Sequence, residues 1–85
     1  MSEDGIPEGS ITGNEIAELA LLFDRFEFAF DPLSRAAREA ESEFQEKVKN
    51  LFSERIEPRY SSVSFIVFHS RVKSLCRAYL RKNVP

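Results

Sequence analysis

Histidine and cysteine are the side chains best suited to act as base and nucleophile near neutral pH, and the chain has one of each, His69 and Cys76. Seven positions apart in one helix, they would stand about 10.5 Å from each other along its axis, beyond the reach of a hydrogen-bonded dyad. One Cys cannot close an internal disulfide, and one Cys with one His falls short of the roughly four ligands of a structural zinc site. They are read as a small buried thiol on an apolar stripe and a histidine at its margin.

Three carboxylates, Glu39, Glu43 and Glu46, share one helical face and in principle offer oxygen ligands or an acid and base pair. Arg35, Lys47 and Lys49 interleave with them, so the face reads as a solvated, salt-bridged surface. No Gly-rich phosphate loop and no metal-spaced Cys/His set accompanies it. The expectation is a protein without catalytic activity, cofactor or metal.

The remaining chemistry-bearing pattern is cationic. Lys73, Arg77 and Arg81 recur at i, i+4 and i+8, with Arg71 and Lys82 at the other edge. Such a strip can follow a phosphate backbone, and binding through it would weaken with salt. The formal net charge of -2 opposes non-specific attraction to nucleic acid, and basic residues near a helix carboxyl end also complement the helix dipole. Nucleic-acid contact is therefore the alternative reading, and a solvated face or a partner for acidic groups is the first.

The elements that must position these groups follow from composition and periodicity. Eighty-five residues, 42% apolar, 31% charged and with 8 Phe, suit one small folded domain with a Phe-rich core. The near-neutral total conceals a split: residues 1–46 carry 3 basic and 12 acidic side chains, and residues 47–85 carry 9 basic and 2 acidic. The longest apolar run, Phe65 to Phe68, is far below the roughly 20 residues of a membrane span. The start MSEDGIPEGS lacks the basic and apolar pattern of a secretory signal. With one unpaired Cys, a cytoplasmic protein is expected, with no membrane association.

Residues 1–11 mix Ser, Gly, Pro and acidic groups without periodicity and are expected to form a flexible tail before a single helical domain over 12–85. Thr12 followed three positions later by Glu15 has the spacing of a capping box. Ile16, Leu19, Phe23, Phe26 and Phe30 then follow three/four spacing, which predicts a helix over about 14–30. Asp31-Pro32 predicts the start of a second helix, about 32–56, whose apolar positions from Leu33 onward, Ala37, Ala40, Phe44, Val48, Leu51 and Phe52, keep three/four spacing; it is ended by Pro58 and supported by the i,i+4 pairs Arg35/Glu39 and Glu43/Lys47. A third helix, about 62–82, is predicted from Phe65, Phe68, Val72, Leu75 and Tyr79, with Ser61 or Ser62 as its cap. Its opening, residues 63–68, is rich enough in β-branched and aromatic types to suit a short strand instead. The resulting expectation is all-α: a three-helix antiparallel bundle.

More apolar side chains are present than three such helices bury together. Leu21 and Phe28 fall opposite the first helix's stripe, and Val63, Ile66 and Val67 fall outside that of the third. Two coherent patches on so short a chain point to an interface. The alternatives are a curved first helix or a tail, through Ile6 and Ile11, laid over Leu21 and Phe28. The expected function is a small intracellular protein–protein interaction module, most simply a homodimer. The alternative is a nucleic-acid-associated regulator using Arg71, Lys73, Arg77, Arg81 and Lys82.

Overall fold

Thr12 opens the first helix as its spacing requires. Its hydroxyl accepts from the Glu15 backbone N–H at 3.2 Å, and Glu15 Oε1 accepts from the Thr12 N–H at 2.9 Å. In the computed structural model, which describes residues 9–83, this cap starts α1, Gly13–Glu27. α2 spans Arg35–Leu51 and continues as one wide turn of π-helix, Phe52–Ile56, and α3 spans Phe65–Asn83. The fold is an all-α three-helix bundle, with no strand among the described residues. Val84 and Pro85 lie outside the described residues, as do residues 1–8 of the expected tail, including Ile6. Of the remainder, Ile11 packs against the core and the Ser10 carbonyl accepts from Arg55 at 3.2 Å.

Helix boundaries differ from the periodic reading at three places, each for a local reason. α1 stops at Glu27, with the Phe28 N–H still donating to the Asp24 carbonyl at 3.4 Å, so Phe30 leaves the helix and is fully exposed. Asp31-Pro32 is a turn and not a helix start: Asp31 Oδ1 accepts from the Leu33 N–H and its carbonyl from the Ser34 N–H. Ser34 is the cap of α2, its Oγ accepting from the Ala37 N–H at 3.2 Å. At α3, Ser64 and not Ser61 or Ser62 accepts from the first-turn N–H of Val67, and residues 65–68 are helical.

The π-turn rotates the end of α2. Continued as an α-helix, the chain would carry Ile56 well round from the line of Phe44 and Val48. The wider turn, closed by the Glu57 N–H on the Phe52 carbonyl at 2.8 Å, advances less per residue and returns Ile56 to complete burial. It also aims Arg55 at α1, where its Nη1 donates to Glu15 Oε1.

One fully buried Phe from each helix, Phe23, Phe44 and Phe68, anchors the core with Leu19, Val48, Ile56, Val72 and Cys76. Phe23 and Phe26 both contact Phe44, at ring separations of 5.7 and 5.3 Å, and Phe52 contacts Phe68 at 5.6 Å. α1 packs on both other helices, so its buried arc is wider than a simple stripe and takes in Ala20 and Leu22. That leaves a narrow outward arc on α1 carrying Leu21 and Asp24.

Candidate interaction surface

Contacts between helices set the direction of each. Phe23 meets Phe44 while Glu15 meets Arg55, which makes α1 and α2 antiparallel. Phe44 meets His69 while Phe52 meets Phe65, which makes α2 and α3 antiparallel as well. α1 and α3 consequently run in the same sense, and their carboxyl-terminal turns lie side by side. Arg77 of α3 holds them there: its Nη2 donates to Glu27 Oε2 at 3.3 Å and its guanidinium stands 5.3 Å from the centre of the Phe23 ring.

Beside this clamp the two helices leave an open groove of about 480 Å³, lined by Asp24 of α1, by Phe28 just past its end, and by Arg77, Leu80 and Arg81 of α3. Phe28 is 61% exposed, and Leu21, two turns earlier on α1, is 67% exposed. The irregular backbone after Glu27 explains the placement of Phe28: one edge of its ring touches Phe23, with 6.2 Å between centres, and the rest faces solvent. Leu80 is half-buried against the core and forms the opposite apolar wall. Leu80 and Asp24 were not legible as site residues. Leu80 lies one turn beyond Cys76, and that spacing is the signal that widens the α3 stripe toward it.

The second expected patch is reduced. Val63 belongs to the core side: it is half-buried and packs against the buried cluster, its N–H bonded to the Tyr60 carbonyl in the turn before α3. It is not helical, so its helical projection does not apply. Ile66 and Val67 remain exposed, but consecutive helical positions point about 100° apart and do not make one face. Phe30 and Leu33, expected on apolar stripes, are exposed at the corner between α1 and α2. A groove of about 600 Å³ beside Phe30 is walled mainly by alanines and charged side chains, Glu39 and Glu43 among them.

The cationic strip is divided by the fold. Arg77 is committed to Glu27 and Phe23, Lys73 and Arg71 are half-buried, and Arg71 already has a partner. Arg81 and Lys82 are exposed. Glu39, Glu43 and Glu46 are exposed too, and Glu39 lies 3.9 Å from Arg35. Glu43 and Lys47 do not close a pair within 4 Å.

His69 is half-buried, stacked on Phe65 at 5.5 Å and near Phe44 at 6.0 Å. Burial lowers its pKa, the Lys73 ammonium lowers it further, and Glu41 partly offsets both. Cys76 is fully buried, which pushes its thiol up to about 12, so it stays protonated and unreactive at neutral pH. Among the described residues no group of three or more His, Cys, Asp or Glu is placed to hold a metal ion, and no helix is long and apolar enough to cross a membrane. Compared with protein-family models, curated proteins and solved structures, the chain matches none.

Proposed function

We propose that this chain is a protein–protein interaction module without catalytic activity, which self-associates through the groove between α1 and α3. The observation that carries this reading is Phe28, a large apolar side chain 61% exposed on the wall of an apolar groove, with Leu21 exposed two turns earlier on α1. Covering Phe28 and Leu21 removes apolar surface from water, the main source of affinity in such contacts. A second copy supplies the covering surface with no further component, and two-fold pairing is the commonest closed arrangement.

The test is sedimentation velocity over a concentration series reaching high micromolar, for the wild type and for Phe28→Glu. A wild type that forms dimers, and a variant that does so only at much higher concentration, supports the reading. A monomer at every concentration, or dimers indifferent to Phe28→Glu, overturns it.

The nucleic-acid alternative has weaker support, because Arg77, the middle of its strip, is engaged by Glu27 and Phe23. Duplex binding that falls steeply between roughly 50 and 200 mM salt, and is lost in Arg81→Glu, would favour it.

A further inference from the structure

From Phe65 to Asn83, α3 carries no carboxylate: its charged side chains are Arg71, Lys73, Arg77, Arg81 and Lys82. Arg77 is answered by Glu27 of α1. Arg71 stands on another side of the helix. It lies two positions from His69, about 200° around α3 and so turned from Phe44 of α2, and six positions from Arg77, about 120° from the contact with α1. Even there Arg71 is half-buried and engaged, and Leu75, one turn on along the same face, is half-buried too. Among the described residues the ion pairs within 4 Å join Arg35 to Glu39, Arg55 to Glu15 and Arg77 to Glu27, and none of them involves Arg71.

The amino end of the chain has the chemistry this face calls for. Residues 1–8, which lie outside the described residues, carry Glu3, Asp4 and Glu8 and no basic side chain, a charge of -3 in a chain whose total is -2. Their point of entry is fixed. Ile11 packs on the core, Arg55 holds the Ser10 carbonyl at 3.2 Å, and Gly9, at a φ of 84° that glycine adopts readily, shares a recess of about 370 Å³ with Arg59 and Tyr60, at the turn that leads into α3.

The distance is within reach. α1 and α3 run in the same sense with Glu27 beside Arg77, so Arg71 stands about level with Leu21, about 12 Å along the axis from the start of α1. Asp4 and Glu3, five and six residues before Gly9, reach roughly 17–20 Å from it in an extended chain. Glu8, adjacent to Gly9, does not. On that path Ile6 passes Val67, one turn before Arg71 on the same face and 48% exposed. We propose that residues 1–8 form an acidic strap that turns at Gly9, lays Ile6 on Val67 and closes on Arg71 through the Glu3 and Asp4 carboxylates. A polyanion must displace the strap to reach Arg71. The strap closes within one chain and does not depend on self-association through the α1–α3 groove.

The test places a nitroxide on Ser2→Cys in the full-length, isotope-labelled protein and reads the broadening of backbone amide signals; Cys76 is fully buried and does not compete for the label. The amides of Val67, Arg71 and Leu75 should be broadened severalfold more than those of Glu39 and Glu43, exposed on α2. Most of that difference should vanish in about 1 M salt, where the screening length is about 3 Å. Arg71→Glu should remove it, and adding Glu3→Lys and Asp4→Lys to Arg71→Glu should restore it. Circular dichroism checks that Arg71→Glu folds. Glu3→Lys with Asp4→Lys alone changes no helix and should remove the difference equally. Broadening spread evenly over exposed amides, or indifferent to these reversals, overturns the strap. Broadening of α3 that appears only when spin-labelled chains are mixed with isotope-labelled chains lacking the nitroxide shows the segment crossing to a second copy, and overturns closure within one chain.

Discussion

Arg55 and Glu15 stand 40 positions apart in the chain and share one hydrogen bond, Nη1 to Oε1, whose acceptor oxygen also receives the Thr12 N–H. The amino end of α1 is thereby tied to the carboxyl end of α2 through an atom that already belongs to a helix cap. Arg55 extends the tie outward by donating to the Ser10 carbonyl. The π-turn that buries Ile56 is also what presents Arg55 to α1, so packing and the clasp depend on the same extra residue in that turn.

The clasp predicts a specific acid sensitivity. The Arg55 guanidinium, followed by the Thr12 N–H, holds the Glu15 carboxyl below its ordinary value of 4.5. A group depressed in the folded state contributes stability above its unfolded pKa, and that contribution is lost as pH falls through the folded value. Glu15→Gln should lower stability at neutral pH by about 1 kcal/mol and flatten its decline below about pH 4.5. A double-mutant cycle with Arg55→Ala in urea unfolding should give a small favourable coupling that weakens with added salt, since both side chains keep partial solvent contact. Zero coupling would mean that Arg55 acts on α1 only through the Ser10 carbonyl.

Capping serines are separable from their neighbours by the same measurement. Ser34→Ala and Ser64→Ala each remove a hydroxyl that accepts from a first-turn N–H, and each should cost about 0.5–2 kcal/mol. Ser61→Ala and Ser62→Ala fall on exposed turn positions and should stay within about 0.5 kcal/mol of wild type. A larger loss at Ser62 than at Ser64 would place the start of α3 earlier.

These caps mark where the sequence was legible and where it was not. Thr12 and Glu15 announce α1 because a capping box is a local motif whose partners lie within one turn. The interior stripes are equally local, and Leu19, Phe23, Phe44, Val48, Phe68 and Val72 are all buried as their spacing requires. Phe30 and Leu33 continue the numerical rhythm but lie beyond the helix ends, where the turn around Asp31 and Pro32 takes over. Periodicity alone cannot register that competition between side-chain and backbone hydrogen bonds. The groove was legible by half: Phe28 stood out as surplus, whereas Leu80 and Asp24 matter only because α1 and α3 run side by side, a long-range fact.

Cys76 offers a probe of global opening. Fully buried, with its thiol pushed up to about 12, it has almost no thiolate at neutral pH and no path to reagent in the folded state. Labelling by a disulfide reagent should be negligible in buffer, and its rate should rise with urea in step with unfolding followed by circular dichroism. Cys76→Ser should destabilise by roughly 1–3 kcal/mol, because a hydroxyl there needs a partner that the surrounding apolar core does not supply. Rapid labelling of the native protein would show that α3 opens locally at its middle.

His69 should make stability fall on mild acidification. Its ring lies flat against Phe65, 12° from parallel, and beside Phe44, with Lys73 on its own helix and Glu41 on α2 as the charges that act on it. Burial and Lys73 together hold its folded pKa below the ordinary 6.5, so the unfolded chain takes up the proton first. Stability is then full above about pH 7, declines as pH drops through the unfolded value, and levels off below the folded one. The decline should be modest, because the imidazole is only half-buried. His69→Phe keeps an aromatic ring between Phe65 and Phe44 and removes the proton site. Urea midpoints measured between about pH 8 and 5.5 should slope downward for the wild type and run nearly flat for the variant. Equal slopes in the two proteins would assign the loss to another group, and a steeper slope in the variant would mean that protonated His69 stabilises the fold through Glu41.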